Sequence, residues 1–398
     1  MTLRVVVALS DLAFEAAVVR RLARADSGAT VVRRCLDVVE LRAVVGAQLA
    51  DVVVVDTELN GLDREVLAEL HAQGVRVVAT TEAPAGTVGL SYDAVVPPNE
   101  ESVCSALRGG YVQAPVSTTN SLPGGRIVAV WGPVGSPGRT TVAVTLADEL
   151  ARLGVSILLA DADTYGPSIA QQLGLLDDSS GLAAVCRLAA SDRLDVGSLT
   201  RTAVAVSDRF RVLTGISRPD RWDEIRPASL DAVWQVCRET VSVTLVDVGF
   251  CLEHDDLAWF EPGTAARNQA AVATLAAADV LVAVGGADPV GLVRYLRDLP
   301  SALALAPTAA VECVVNRVPS GRGAADELVA LLREHGAAPG PAGRTTLVPD
   351  DPAPLAASLR SGRTLAEGAP RSGARRAVKV LAERLAGVSP GRRRRRAA

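Results

Sequence analysis

Lysine is almost absent from this chain of 398 residues: Lys379 stands alone, and every other long basic side chain is arginine. Such a bias points to a GC-rich coding sequence, and it offers a compositional reason for arginine wherever lysine would otherwise serve. Histidine is scarce as well. His71, His254 and His335 are isolated in the sequence and are assigned no role. The six cysteines (Cys35, Cys104, Cys186, Cys237, Cys251 and Cys313) are scattered with no CxxC pair. That spacing argues against zinc and predicts buried free thiols in a reducing compartment. The formal net charge of -4 gives no overall basic character, so bulk electrostatics do not predict nucleic-acid binding. No run approaches the roughly 18 to 20 apolar residues that a membrane helix needs. The opening MTLRVVVALSDLAFEAA lacks the layout of a signal peptide. Together these absences predict a cytosolic protein whose membrane contact, where it occurs, is peripheral at the inner face.

What the chain has is apolar residues, 49% of the total, enough for two domains with proper cores. Everything after residue 125 is organised around RIVAVWGPVGSPGRTT, Arg126 to Thr141. Arg126 to Trp131 reads as a buried strand. Gly132, Gly135 and Gly138 follow, then Arg139 and the Thr140–Thr141 pair. From Thr140 the apolar spacing is helical through Val142, Leu146, Leu150 and Leu153, with Gly154 as the stop. A strand, a glycine-rich turn and a helix opening on hydroxyls make a phosphate cradle, because backbone N–H groups and the helix dipole converge on an anion.

Carboxylates recur at strand ends downstream. Ser156 to Ala160 runs into Asp161-Ala162-Asp163, and Val241 to Val246 into Asp247. A carboxylate placed there can hold an attacking water in line or order the water shell of magnesium. Asp279 to Val284 and Val311 to Val315 are further core strands, the second leading into Asn316-Arg317. Before the cradle, five β-branched runs alternate with helical segments from Leu3 to Val96, which implies a parallel sheet with helices on both faces. Val112 to Gly125 is polar and rich in proline, glycine and hydroxyls, a linker.

The glycine-rich loop is not a standard Walker A sequence, which would carry glycine at Pro133 and lysine at Arg139. It resembles the deviant Walker A loop of the MinD/ParA family, GxKGGxGK(S/T). Gly132, Gly135, Gly138 and Thr140 match; Val134 replaces the signature lysine, Ser136 a glycine and Arg139 the P-loop lysine. The resemblance implies ATP and Mg2+ as cofactors. It implies phosphate binding by Gly132, Gly135, Ser136, Gly138, Arg139, Thr140 and Thr141, with Asn316 and Pro349 near the adenine. It assigns Thr140, Asp161 and Asp247 to the metal, Asp163 to the attacking water, and Arg139 to the developing charge. The segment from Leu347, with Val348-Pro349-Asp350, resembles the family's C-terminal run. A nucleotide-dependent homodimer and an unspecified protein partner are implied as well.

The N-terminal region resembles a response-regulator receiver with Asp56 at the phospho-acceptor position. Leu9-Ser10-Asp11 stands where an acidic pair should be, and Pro97-Pro98 where a lysine should be; Thr80 or Thr81 could fill the hydroxyl position. A pseudo-receiver used for docking is therefore expected. This domain order resembles the CpaE-like, pilus-assembly members of the family. The expected organisation is α/β throughout: a receiver-like (flavodoxin-like) domain over 1–111, a linker over 112–125, a P-loop ATPase domain with a mainly parallel sheet over 126–387, and an arginine-rich tail over 388–398. Arg392 to Arg396 reads either as a solvated end or as a hook for anionic lipid or nucleic acid. The expected function is an ATP-binding switch for positioning or assembly (pilus assembly, septum placement or partitioning) that hydrolyses ATP slowly. The alternative is a catalytically silent docking scaffold.

Overall fold

The structure, a computed structural model, describes residues 2–83, 90–109, 124–135, 137–176, 179–253, 266–320, 323–334 and 345–387. The chain divides into two compact units, the first built chiefly from residues up to 122 and the second from those that follow. The arginine-rich stretch Arg392 to Arg396 and most of the expected linker lie outside the described residues.

The first unit alternates β1 (Leu3–Ala8), α1 (Leu12–Leu22), β2 (Ala29–Arg34), α2 (Val38–Gly46), β3 (Val52–Asp56), α3 (Arg64–Ala72), β4 (Arg76–Thr80), β5 (Ala94–Val96) and α4 (Glu100–Leu107). Its sheet has the order β2-β1-β3-β4-β5 and every pairing is parallel. Strand residues alternate between the faces. Val6, Val53 and Val77 pack with Leu41, Val66 and Leu70 of α2 and α3. Val5, Val7, Val54 and Val78 pack with Val18 and Leu22 of α1 and Val103 and Leu107 of α4. Both faces are covered, which is why these strands read as unbroken valine runs.

The second unit contains β6 (Arg126–Trp131), α5 (Arg139–Arg152), β7 (Ile157–Ala162), α6 (Ile169–Gln172), α7 (Gly181–Ala190), α8 (Val196–Thr202), β8 (Val204–Ser207), β9 (Phe210–Leu213), α9 (Pro227–Thr240), β10 (Val243–Val248), α10 (Gln269–Ala277), β11 (Val280–Gly286), α11 (Pro289–Leu305), β12 (Ala310–Val318), α12 (Ala324–Glu334), β13 (Thr345–Pro349), α13 (Pro352–Ser361), α14 (Leu365–Gly368) and α15 (Gly373–Leu385). Its eight strands run in the order β13-β12-β11-β6-β10-β7-β9-β8, parallel except for β8 against β9. The strand that feeds the loop, β6, is central, between β11 and β10. Helices α5 and α15 cover one face: Val142, Leu146 and Leu150 with Val378 and Leu381 pack on Val128, Val130, Leu245 and Val282.

Four strands of the second sheet run further than their apolar runs predict: β7, β10, β11 and β12. Asp161 lies inside β7, and Asn316 lies inside β12 instead of just beyond it. Buried neighbours on both sides let a parallel strand continue through a polar residue whose side chain finds its own partners.

Candidate functional site

The loop between β6 and α5 is shaped by two glycines in the left-handed region, Gly135 at φ 108° and Gly138 at φ 94°. Gly138 is the N-cap of α5, yet no side chain caps that helix. The first-turn N–H groups of a 14-residue helix are thus left for an outside acceptor. A Cβ on Gly138 would stand 2.2 Å from Asn316 Nδ2. That amide donates to Pro137 O at 2.8 Å, fastening the end of β12 to the loop. Asn316 is therefore placed at the site, with one of its groups already holding the loop. Pro349 ends β13 opposite Val318 of β12, two residues beyond Asn316. Ser136 lies outside the described residues.

Strand register sets the carboxylates. Asp247 on β10 pairs across to Val130 on one side and Asp161 on the other. Asp247 is 1% exposed, and neither of its carboxylate oxygens has a hydrogen-bond partner. Burial raises its pKa. The Arg139 charge and the Thr140 hydroxyl, which faces it too loosely to form a proper hydrogen bond, lower it in part, and Asp163 raises it again. Asp161 is also raised, first by burial and then by Asp247. Its oxygens are already engaged, however. Oδ2 accepts from the Ser168 and Ile169 N–H groups at 2.9 and 3.0 Å, and Oδ1 from the Asp163 N–H at 3.3 Å. Asp161 builds the turn after β7.

Asp163 is engaged as well. Its Oδ1 accepts from the Tyr165 and Gly166 N–H groups at 2.9 and 3.1 Å. Its Oδ2 is paired with Arg139 Nη2 at 3.0 Å, the two side chains being 6% and 10% exposed. Arg139 also donates from Nη1 to Gly132 O at 2.9 Å and, more weakly, to Pro133 O at 3.4 Å. The two residues expected to act on the γ-phosphate and the water thus neutralise each other across the loop. Removing one partner from such a buried pair typically costs about 3–5 kcal/mol, so the guanidinium is firmly held.

The sequence gives no sign of a second set of contacts beside Asp163. Arg267 lies 4.1 Å from the centre of the Tyr165 ring, and the Tyr165 hydroxyl donates to Asn268 Oδ1 at 2.6 Å. Arg267 donates to Thr164 O, and Thr164 to Arg267 O, both at 3.0 Å. These partners lie about a hundred residues apart in the chain, so no local pattern marks them.

A magnesium ion with a phosphate chain fits this donor set. Among the described residues no group of three or more His, Cys, Asp and Glu side chains could hold a metal by itself. Magnesium bound mainly by phosphate and water needs only one or two protein groups. Thr140 and the orphaned Asp247 are the residues that suit it.

Asp56 in the first unit is different. Its Oδ2 accepts from the Ser10 N–H at 2.6 Å and its Oδ1 from the Thr80 hydroxyl at 2.7 Å. Of the two candidate threonines, Thr80 makes this contact; the Thr81 hydroxyl accepts from the Ala83 N–H. Asp11 accepts from the Ala13 and Phe14 N–H groups as the cap of α1. A cavity of about 420 Å³ opens beside them.

No family model matches the chain. Two curated relatives match short stretches. Iron-sulfur cluster carrier proteins of Aquifex aeolicus and Deinococcus radiodurans are 44% and 46% identical over 64 and 67 residues. The matches cover 16% and 17% of this chain and 18% and 19% of the relatives. Among solved structures, a ParA family ATPase from Chlorobium tepidum is 19% identical, with a TM-score of 0.53 over 66% of this chain and all of that one. The septum site-determining protein MinD of Pyrococcus horikoshii, complexed with Mg-ADP, is 18% identical with a TM-score of 0.50, covering 66% and 98%. An ATP complex of a McdA variant from Cyanothece is 16% identical with a TM-score of 0.51, covering 67% and 98%. At these identities the likeness establishes the fold, that of the ParA/MinD P-loop ATPases.

Proposed function

We propose that this chain is an ATP-binding switch of the MinD/ParA type that acts in intracellular positioning or assembly and turns ATP over slowly. The observation that carries nucleotide binding is the orphaned pair of Asp247 oxygens beside a helix N-terminus that no side chain caps. A buried carboxylate without a partner is costly, and a magnesium water shell would satisfy it. In this reading the loop from Gly132 to Thr141 holds the phosphates, Thr140 and Asp247 face the metal, and Asn316 and Pro349 flank the base. When bound, magnesium neutralises phosphate charge.

Slow turnover follows from the Arg139–Asp163 pair. Asp163 Oδ1 is filled by two N–H groups and Oδ2 is held by Arg139, while the Arg139 fork is drawn onto Gly132 O and Asp163, which leaves only its Nε without a partner. Val134 adds no charge. Catalysis of phosphoryl transfer needs cations placed in advance, so the chemistry is impaired before binding is. Residues 1–111 are read as a pseudo-receiver for docking, joined by a linker to the ATPase domain, as in CpaE-like proteins. A homodimer formed with nucleotide, an unidentified protein partner and a cytoplasmic location complete the reading. The arginine-rich tail would meet anionic lipid or nucleic acid, or remain solvated.

The same Arg139 contacts favour the second reading, a silent scaffold whose cradle is closed by its own side chain. A cluster-carrying role gains no support from this chain: five of its six cysteines are buried, and among the described residues no group of three or more metal-ligating side chains is brought together, whereas a cluster needs its thiolates gathered. Titration of the full chain with labelled ATP, with and without magnesium, separates the readings. The switch binds ATP more tightly with magnesium and releases phosphate slowly; the scaffold binds nothing. Brisk turnover would overturn the proposed impairment.

A further inference from the structure

We propose that Arg294 of α11 supplies the positive charge that Val134 withholds from the loop, and that through it the site distinguishes a nucleoside triphosphate from a diphosphate. This rests on the loop being a nucleotide site. Arg294 is 160 residues from Val134 in the chain, yet its Nη1 lies 3.5 Å from Val134 O. A Cβ on Gly135 would stand 2.5 Å from the same nitrogen, so the guanidinium lies directly against the loop where position 135 must be glycine. A contact of 3.5 Å is at the limit of a hydrogen bond and leaves the donors largely unspent.

The surroundings leave this charge without a counterpart. Among the described residues no carboxylate pairs with Arg294, whereas Arg297, one turn on, is paired with Asp298 at 2.6 Å. The acid on the same rim, Asp288, turns its Oδ1 to the Gly291 N–H at 2.9 Å as the cap of α11. Arg317, at φ 58° where the pairing of β12 with β13 is irregular, lines the same cavity of about 50 Å³ with Arg294 and the loop. A non-glycine residue held in the left-handed region is uncommon and clusters at ligand sites. Two arginines against one occupied carboxylate make a basic rim. The platform is rigid, because Leu292, Tyr295 and Leu299 on the other side of α11 are buried.

A planar guanidinium fork matches phosphate oxygens two at a time. Arg294 approaches the limb of the loop away from the α5 N-terminus. Its charge therefore weighs on the length of the phosphate chain more than on its attachment.

The test is equilibrium binding of a fluorescent, non-hydrolysable ATP analogue and of fluorescent ADP, each with magnesium, to the full chain. Arg294→Ala should weaken the triphosphate by about tenfold or more, the scale of a hydrogen bond to a charged group, and leave ADP within about twofold. The thermal midpoint should not move. Arg294→Lys should keep part of the preference, and Arg297→Ala should change neither ligand. An equal loss for both nucleotides would mean that Arg294 only stiffens the loop, and no change would mean that it does nothing there; either overturns the inference. Wild-type protein that binds neither nucleotide overturns the nucleotide reading itself and this inference with it.

Discussion

Each unit has a wholly or mainly parallel sheet with an aspartate at a strand end, and the two treat that aspartate oppositely. Asp56 has both oxygens satisfied by its own unit, from the Ser10 N–H and the Thr80 hydroxyl. Asp247 is buried with neither oxygen satisfied. The helix start at the loop differs from those of the first unit. Asp11, Asp37, Asp63 and Asn99 cap α1 to α4, one each, whereas α5 opens on Gly138 with no side-chain cap. Native folds satisfy nearly all of their buried polar groups, so a carboxylate with both oxygens orphaned beside an uncapped helix start is the exception to be explained. By that measure the Asp56 site is complete as it stands, whereas the Asp247 site, in the reading proposed above, is completed by a ligand.

The largest expected effect comes from restoring what the loop lacks. Val134→Lys with Arg139→Lys should raise phosphate release on the order of a hundredfold over wild type. A lysine at 139 is a point charge that cannot span Gly132 O and Asp163 in one fork, so Asp163 is released toward water. Arg139→Lys alone should recover little. A double variant as slow as wild type would show that Asp163 is not the limiting group.

Next in size is Asp247→Asn, which should reduce the magnesium enhancement of ATP binding by about ten- to a hundredfold, the usual cost of disturbing a metal's outer shell. The equivalent change in the first unit, Asp56→Asn, should leave that enhancement untouched. Equal effects at the two aspartates would erase the contrast between them.

A smaller effect concerns stability against pH without nucleotide. In the folded chain the Asp247 pKa is raised from 3.8, chiefly by burial. Folded protein therefore keeps a proton that unfolded chain releases, and this contribution to stability is lost as pH rises above 3.8 through the raised value. Asp247→Asn removes that loss, so its thermal midpoint should gain on wild type as pH rises across that window. Midpoints that run parallel for the two proteins would mean that Asp247 is not strained in the unliganded fold.

Local pattern carried much of this. The β6–loop–α5 unit, the aspartates at the end of β7 and in β10, and the valine strands of the first sheet were legible because each is contiguous and its chemistry shows in spacing. Pairings across the fold were not. Nothing near Val134 indicates Arg294, and nothing near Asp163 indicates that Arg139 closes on it. Asp161 looked like a metal residue because a strand-end carboxylate has the same sequence whether it faces an ion or the two N–H groups that start α6. Strand β13 has polar threonines at its start, and the edge strand β8 is short and largely exposed, so neither gave a clear apolar run.

The smallest expected effect is none at all, and it probes the finished side of the comparison. Incubating the full chain with a small phosphodonor and magnesium should leave its mass unchanged. An aspartate must present a free oxygen to attack phosphorus, and the charge that gathers must meet a metal and a cation. Both Asp56 oxygens accept hydrogen bonds at 2.6 and 2.7 Å, which lowers their nucleophilicity. Asp11 spends its Oδ1 on α1, and Pro97-Pro98 provide no cation. Thr80, which in a working site would turn to the phosphoryl group, instead holds the carboxylate in place. Thr80→Ala frees one oxygen yet adds neither metal ligand nor cation, so it too should remain unmodified. Stoichiometric acyl phosphate at Asp56 in wild type would show that satisfied hydrogen bonds do not silence this aspartate, and the contrast with Asp247 would lose its first half.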